Sequence, residues 1–120
     1  MKKFKFREQE MTIEVKEYQN NHRKAILLKD SEGMPYMTAT MNVDVDDVPK
    51  DFVVIKDYSE NQGVYKFLVN NNVIMPVNRS YTLPFSEAPI CLLNDESQWE
   101  PWEEDPDANK RDFEDGWNID

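Results

Sequence analysis

Polar and apolar residues alternate along much of the first 43 residues, with polar turns at residues 20–22 and 30–33. A period of two is typical of strands that bury one face, because successive side chains point to opposite sides of a sheet. The alternation predicts a short strand at residues 4–6, a hairpin over residues 12–29 and a third, long strand over residues 36–43.

The segment Phe52–Ile74 changes from a strand pattern to a helix pattern. Its first four residues form an apolar run of β-type, and apolar residues then recur at helical spacing, at Val64, Phe67 and Leu68. This segment predicts a strand followed directly by the main helix of the domain.

The expected ends of that helix are marked by polar residues. Ser59 suits the N-cap, because its hydroxyl can accept from a backbone N–H, and Gln62 can return the bond in a capping box. Residues 70–72 are all Asn, which tolerates left-handed backbone geometry and predicts the end of the helix.

Three further extended segments follow, at residues 73–75, 80–83 and 88–93. The prolines nearby exclude helix and favour edge or terminal strand positions (Pro76, Pro84 and Pro89). The whole pattern predicts an α+β fold, with an antiparallel sheet of about six or seven short strands and one main helix packed on one face.

The net charge of −10 is concentrated at the C-terminal end. Residues 1–24 carry seven basic and four acidic side chains, residues 25–93 carry five and nine, and residues 94–120 carry two and eleven. This balance argues against direct binding to nucleic acid or to an anionic membrane, both of which repel carboxylates. It favours a division into a globular α+β domain, residues 1–93, and an acidic tail, residues 94–120.

The acidic tail also holds all three tryptophans of the chain. Leaving such side chains in water is unfavourable by about 1.5–3 kcal/mol each relative to full burial. One interpretation is that they fold back on the domain near the basic N-terminal strand. Another is a spacer without a specific role. A third is a partner-binding segment in which aromatic residues anchor and carboxylates steer. That segment comprises Trp99, Glu100, Trp102, Glu103, Glu104, Asp105, Asp107, Asp112, Phe113, Glu114, Asp115 and Trp117.

Cysteine and apolar content point to a soluble, cytoplasmic protein. The single cysteine, Cys91, lies in an apolar run and is expected to be buried and reduced. Residues 1–3 lack the apolar stretch that would follow in a signal peptide, and no run approaches the roughly 20 apolar residues of a membrane span.

No group of residues predicts catalysis, a cofactor or a metal. The one histidine, His22, lies in a polar turn. The acidic cluster Asp44, Asp46 and Asp47 lacks histidines and a glycine-bearing loop. Residues 105–116 resemble a calcium-binding loop only in their first three ligand positions, since Lys110 and Gly116 stand where glycine and glutamate are required. We therefore predict a protein that is not an enzyme.

Three stretches and one arginine, in this order, resemble a family of small uncharacterised proteins encoded by phages and mobile elements of Firmicutes. They are residues 35–43, residues 55–63 (Ile-Lys-Asp-Tyr-Ser-Glu-Asn-Gln-Gly), Arg79 and residues 89–92. The resemblance covers about residues 10–93 and implies a compact α+β domain in a mobile element, without an activity. Members usually carry glycine after the arginine turn, where this chain has Ser80.

The sequence favours a non-catalytic binding protein, a monomer or small homo-oligomer, that inhibits a basic host defence protein by imitating nucleic acid. One alternative is a domain that binds a small molecule in a pocket lined by Tyr36, Tyr58, Tyr65 and Tyr81. Another is a structural or regulatory accessory that oligomerises through exposed strand edges.

Overall fold

Eight β-strands and one α-helix make up the part of the chain that the computed structural model describes, residues 2–43 and 48–101. The strands are β1 (Phe4–Phe6), β2 (Gln9–Glu17), β3 (Lys24–Lys29), β4 (Pro35–Thr38), β5 (Thr40–Met41), β6 (Phe52–Ile55), β7 (Ile74–Thr82) and β8 (Glu87–Leu93). The helix is α1 (Val64–Asn70), and short 3-10 turns lie at Ser59–Asn61 and Glu96–Gln98.

The strands form two antiparallel sheets of four, in the orders β1-β2-β3-β4 and β5-β6-β8-β7. The predicted α+β class and the hairpin of β2 and β3 are confirmed. The strands are not arranged in one sheet of six or seven, because the chain bends within the third predicted strand.

That bend is at Ala39, between β4 and β5. Its N–H donates to the Ile26 carbonyl at 2.8 Å, in the first sheet, and its carbonyl accepts from the Lys56 N–H at 2.8 Å, beside the second sheet. The Ala39 side chain is fully buried. One continuous segment therefore belongs to both sheets and passes from one to the other through a single small residue.

The main hydrophobic core is built by both sheets and by α1. Strand β6 contributes Val53 and Ile55 to this core. Val54, between them, points to the other face of the second sheet and joins a smaller core there, together with Val43, Val48, Ala88 and Ile90. Burial of both faces accounts for the unbroken apolar run of β6, since a strand with one wet face would alternate.

The start of α1 differs from the sequence-based prediction. Ser59 lies in the 3-10 turn with a φ of 57°, and α1 begins after Gly63, which has a φ of 97°. Asp57 takes the capping role instead: its Oδ1 accepts from the N–H groups of Gly63 and Tyr65, at 3.0 Å each. The predicted capping box of Ser59 and Gln62 is wrong because the left-handed residue Gly63 separates the 3-10 turn from the α-helix.

The predicted end of α1 is confirmed. The helix ends at Asn70, and Asn72 adopts a left-handed φ of 61°. The Asn71 side chain is buried, and its Nδ2 donates to the Phe67 carbonyl at 2.7 Å, so this asparagine also satisfies a carbonyl in the last turn of the helix.

The two segments predicted at 73–75 and 80–83 belong to the one strand, β7. Its pairing with β8 is interrupted: Pro76 pairs with Cys91 and Arg79 with Ile90. Val77 and Asn78 thus form a two-residue bulge with no partner on β8, and Asn78 has a φ of 61°. The bulge bends the edge strand of the second sheet.

Within the described residues, no helix combines the length and apolar character that crossing a bilayer requires.

Candidate functional site

The first part of the acidic tail packs into the body through Trp99. This side chain is 3% exposed and belongs to the main core. Its ring meets the Phe4 ring edge-on, with centroids 6.4 Å apart, and its Nε1 donates to the Asn94 carbonyl at 3.0 Å. For Trp99, the structure matches the interpretation in which the tail folds back near the N-terminal strand.

Lys2, near the N-terminus, also binds this part of the tail. Its Nζ donates to the carbonyl oxygens of Glu96, at 3.2 Å, and of Trp99. The 3-10 turn between those residues is capped by Asp95, whose Oδ2 accepts from the Ser97 N–H at 3.0 Å and from its hydroxyl at 2.5 Å. These bonds from Ser97 lower the pKa of the Asp95 carboxyl.

Backbone contacts continue as far as Glu100. The Asn94 N–H donates to the Val73 carbonyl, and the Glu100 N–H donates to the Asn71 carbonyl, each at 2.9 Å. Between them, the Asn72 side chain donates to the Gln98 carbonyl at 2.8 Å. Residues 94–100 therefore pack as part of the body, and a truncation that spares the body should end after Pro101 rather than after Leu93.

The basic residues near the N-terminus have partners within the body. Lys3 lies 3.3 Å from the Glu10 carboxylate. Arg7 donates to the carbonyls of Glu60 and Gln62 at 2.8 Å each, and its guanidinium lies over the Phe6 ring at 4.7 Å. Arg7 thus holds the turn before α1 against β1, a contact between distant residues that the sequence pattern does not predict.

The predicted partner-binding residues divide into two groups. Trp99 is a core residue, so its buried ring is not available to anchor a partner. Glu100 is exposed. The other predicted partner-binding residues lie outside the described part of the chain: Trp102, Glu103, Glu104, Asp105, Asp107, Asp112, Phe113, Glu114, Asp115 and Trp117. The acidic cluster of Asp44, Asp46 and Asp47 and the calcium-like loop, residues 105–116, also lie outside it.

The pocket described beside β7 is lined by only one of the four tyrosines of the alternative hypothesis. Tyr36 packs edge-on against Phe6, with centroids 6.5 Å apart, and Tyr58 is 40% exposed. Tyr81 packs against the smaller core. Tyr65 alone of the four lines an open pocket of about 320 Å³ beside the bulge of β7. Sequence reasoning missed this pocket because the bulge that shapes it has no pattern in the sequence.

Cys91 and His22 occupy the settings that the sequence predicts. The Cys91 side chain is fully buried, and burial raises the pKa of its thiol to about 12. His22 lies in the β2–β3 turn, with its Nδ1 3.4 Å from the Glu17 carboxylate. Lys24 and, to a smaller extent, His22 lower the pKa of Glu17. In the described ranges, no three histidine, cysteine or acidic residues come together in a way that could hold a metal.

The buried thiol leads to a prediction about reactivity. At pH 8 the native protein should react with a thiol reagent such as DTNB far more slowly than the unfolded chain, because Cys91 stays protonated and shielded well below its raised pKa. Absorbance at 412 nm, with and without denaturant, measures the difference. Equal rates in the two states would contradict the buried position.

Comparison with known proteins gives no relative: no family model, no curated protein and no solved structure matches this chain. The resemblance to the phage and mobile-element proteins therefore stays a prediction.

Proposed function

We propose that this is a non-catalytic binding protein of a phage or mobile element, whose acidic tail engages the basic, nucleic-acid-binding surface of a host defence protein. The observation that carries the proposal is the fixed start of the tail. Trp99, held against Phe4 and by Lys2, attaches the tail to a folded body at a defined point.

The distribution of charge supports the same function. Residues 102–120 contain eight acidic and two basic side chains. Several of the body's charged groups pair with one another at the surface, in pairs such as Lys29 with Glu14 and Lys24 with Glu17, at 2.5 and 2.7 Å. The unbalanced negative charge thus belongs mainly to the tail, and a basic partner would be attracted to it.

The mechanism is electrostatic competition. A groove that binds DNA or RNA presents Lys and Arg side chains to phosphates, and carboxylates at similar spacing can take those positions. Three aromatic residues of the tail, Trp102, Phe113 and Trp117, would then supply desolvated anchors that raise affinity beyond that of charge alone.

The test compares two variants with the same net charge. In the first, four tail carboxylates become amides (Glu103→Gln, Glu104→Gln, Asp105→Asn and Asp107→Asn). In the second, four exposed carboxylates of the body do so (Glu8→Gln, Glu32→Gln, Asp51→Asn and Glu87→Gln). Each variant and the full chain are used to capture proteins from a bacterial host lysate, and the captured proteins are quantified by mass spectrometry.

We expect the tail variant to lose a partner that the body variant retains. Capture by the full chain should also fall steeply between about 50 and about 200 mM salt, because binding to a basic groove competes with ions. Equal capture by the two variants, or capture insensitive to salt, would show that the tail carboxylates are not the binding element.

A further inference from the structure

The edges of the two sheets differ in how well they are protected from pairing with another strand. The first sheet ends at β1 and β4, which have 3 and 4 residues, and one edge of the second sheet is β5, which has 2. The other edge of the second sheet, β7, has 9 residues. Natural edge strands are commonly short, charged or bent, because their free N–H and C=O groups are a template for another strand. In the described part of the chain, β7 is therefore the edge most open to such pairing.

Only the first half of β7 carries protecting features. Pro76 and the bulge at residues 77–78 interrupt its pairing with β8. After the bulge, residues 79–82 (Arg-Ser-Tyr-Thr) pair with β8 without a shift of register. Ser80 and Thr82 are exposed and uncharged. The second half of β7 is thus a regular edge of the sheet.

The hairpin turn fixes which backbone groups of this half point away from β8. The Leu83 N–H donates to the Ser86 carbonyl at 2.8 Å and closes the hairpin. Residues of an antiparallel strand alternate between bonding to the neighbouring strand and facing away from it. Counting back from the closing bond, Tyr81 bonds to β8, whereas Ser80 and Thr82 direct their N–H and C=O groups to the free edge.

Two observations agree with this assignment. Pro89 pairs with Ser80 and has no N–H, which suits a position where no bond to β7 is required. Within the described ranges, the backbone hydrogen bonds outside the regular helices and strands involve neither Ser80 nor Thr82. These two residues therefore present donors and acceptors in one row along the edge.

The charge of this region favours a second copy of the chain as the neighbouring strand. Residues 61–86, which include β7 and the turn after it, contain no acidic side chain, although the whole chain has 24. Copies of a protein with a net charge of −10 repel each other where carboxylates meet, and along β7 the two strands oppose none. The turn at the end of the same hairpin also holds Phe85, which is 99% exposed and adds apolar surface there.

We propose that β7 pairs with β7 of a second copy, antiparallel and about a two-fold axis at Tyr81. Ser80 of each copy then lies opposite Thr82 of the other, and each such pair exchanges both of its N–H···O bonds. This is the one antiparallel register in which both outward-facing residues of each copy find a partner. The two-fold axis makes the interface self-complementary, and the second sheets of the two copies join into one continuous sheet.

Two double variants of the full chain test both the edge and the register. In Ser80→Lys with Thr82→Lys, each new lysine lies directly opposite a lysine of the other copy. In Ser80→Lys with Thr82→Glu, each lysine lies opposite a glutamate instead. The control is Gln19→Lys with Ser31→Lys, which adds the charge of the first variant at exposed turn positions. Sedimentation equilibrium measures the mass of each protein from about 10 μM to about 1 mM, at about 150 mM salt to screen the tails.

We expect the mass of the wild type to rise from that of one chain toward that of two as the concentration increases. The lysine–lysine variant should weaken dimerisation by about tenfold or more, because like charges directly opposite destabilise a strand pair. The lysine–glutamate variant should dimerise at least as well as the wild type, and the control should dimerise no more weakly. In the dimer, the amides of Ser80 and Thr82 should exchange with solvent more slowly than in dilute solution.

Three results would overturn the proposal. A wild-type chain that stays monomeric to about 1 mM would exclude a second copy as the occupant of this edge. Equal dimerisation by the lysine–lysine variant and the wild type would mean that the copies meet at another surface. A lysine–glutamate variant that fails to recover the dimer would contradict the register. Thermal unfolding verifies that each variant is folded, and the acidic tail is unchanged in all of them, so none of these outcomes bears on the proposed function.

Discussion

Replacing Trp99 with alanine should lower the free energy of unfolding by about 3–5 kcal/mol, the usual cost of removing a large aromatic side chain from a core. The substitution removes an almost fully buried ring that packs edge-on against Phe4, and it leaves the Asn94 carbonyl without the indole N–H. Because small domains are stable by only about 5–15 kcal/mol, a loss of this size is readily measured by urea unfolding.

Two substitutions at and beside this position separate burial from a general effect of changing the tail. Trp99→Phe keeps an aromatic ring and should cost clearly less than Trp99→Ala. Gln98→Ala truncates an exposed neighbour whose backbone carbonyl, not its side chain, bonds to Asn72, so it should change stability by about 0.5 kcal/mol or less. A Trp99→Ala protein as stable as the wild type would mean that the ring does not belong to the core in solution.

Replacing Asp57 with alanine should lower the free energy of unfolding by about 1–2 kcal/mol, the usual effect of losing a helix cap. Its carboxylate oxygen is the acceptor for two N–H groups at the start of α1, those of Gly63 and Tyr65. The matched control is Ser59→Ala, which removes the residue that the sequence pattern selects as the cap. We expect that control to stay within about 0.5 kcal/mol of the wild type.

The comparison discriminates between two starts of the helix. If Ser59→Ala costs more than Asp57→Ala, the capping box forms in solution and the helix begins earlier than Val64. Asp57→Asn adds a third value, since the amide oxygen can still accept both bonds. It should recover part of the loss, because the acceptor remains and only the charge that favours a helix start is removed.

The elements of this fold could be predicted wherever one local pattern decides the structure. Alternation identifies β1 and the hairpin of β2 and β3, and three consecutive asparagines mark the end of α1. Both are short-range effects, set by which side a residue faces or which φ it tolerates.

The features that could not be predicted depend on contacts between distant residues. Ala39 has the sequence pattern of an ordinary strand residue, yet the chain passes from one sheet to the other at this position. The reason is that its N–H bonds to Ile26 and its carbonyl bonds to Lys56. Asp57, and not Ser59, caps the helix, because the left-handed backbone of Gly63 makes α1 begin at Val64. The place of Trp99 could not be decided from the sequence, since composition alone cannot say which aromatic residue packs into a core.

The shared segment at Ala39 also bears on how the protein unfolds. Residues 35–41 hydrogen-bond to β3 on one part of their length and to β6 on the other. Fraying this segment removes an edge from each sheet at the same time, and it opens the core that lies between them. The two sheets are therefore coupled as one cooperative unit, rather than two subdomains that could open independently.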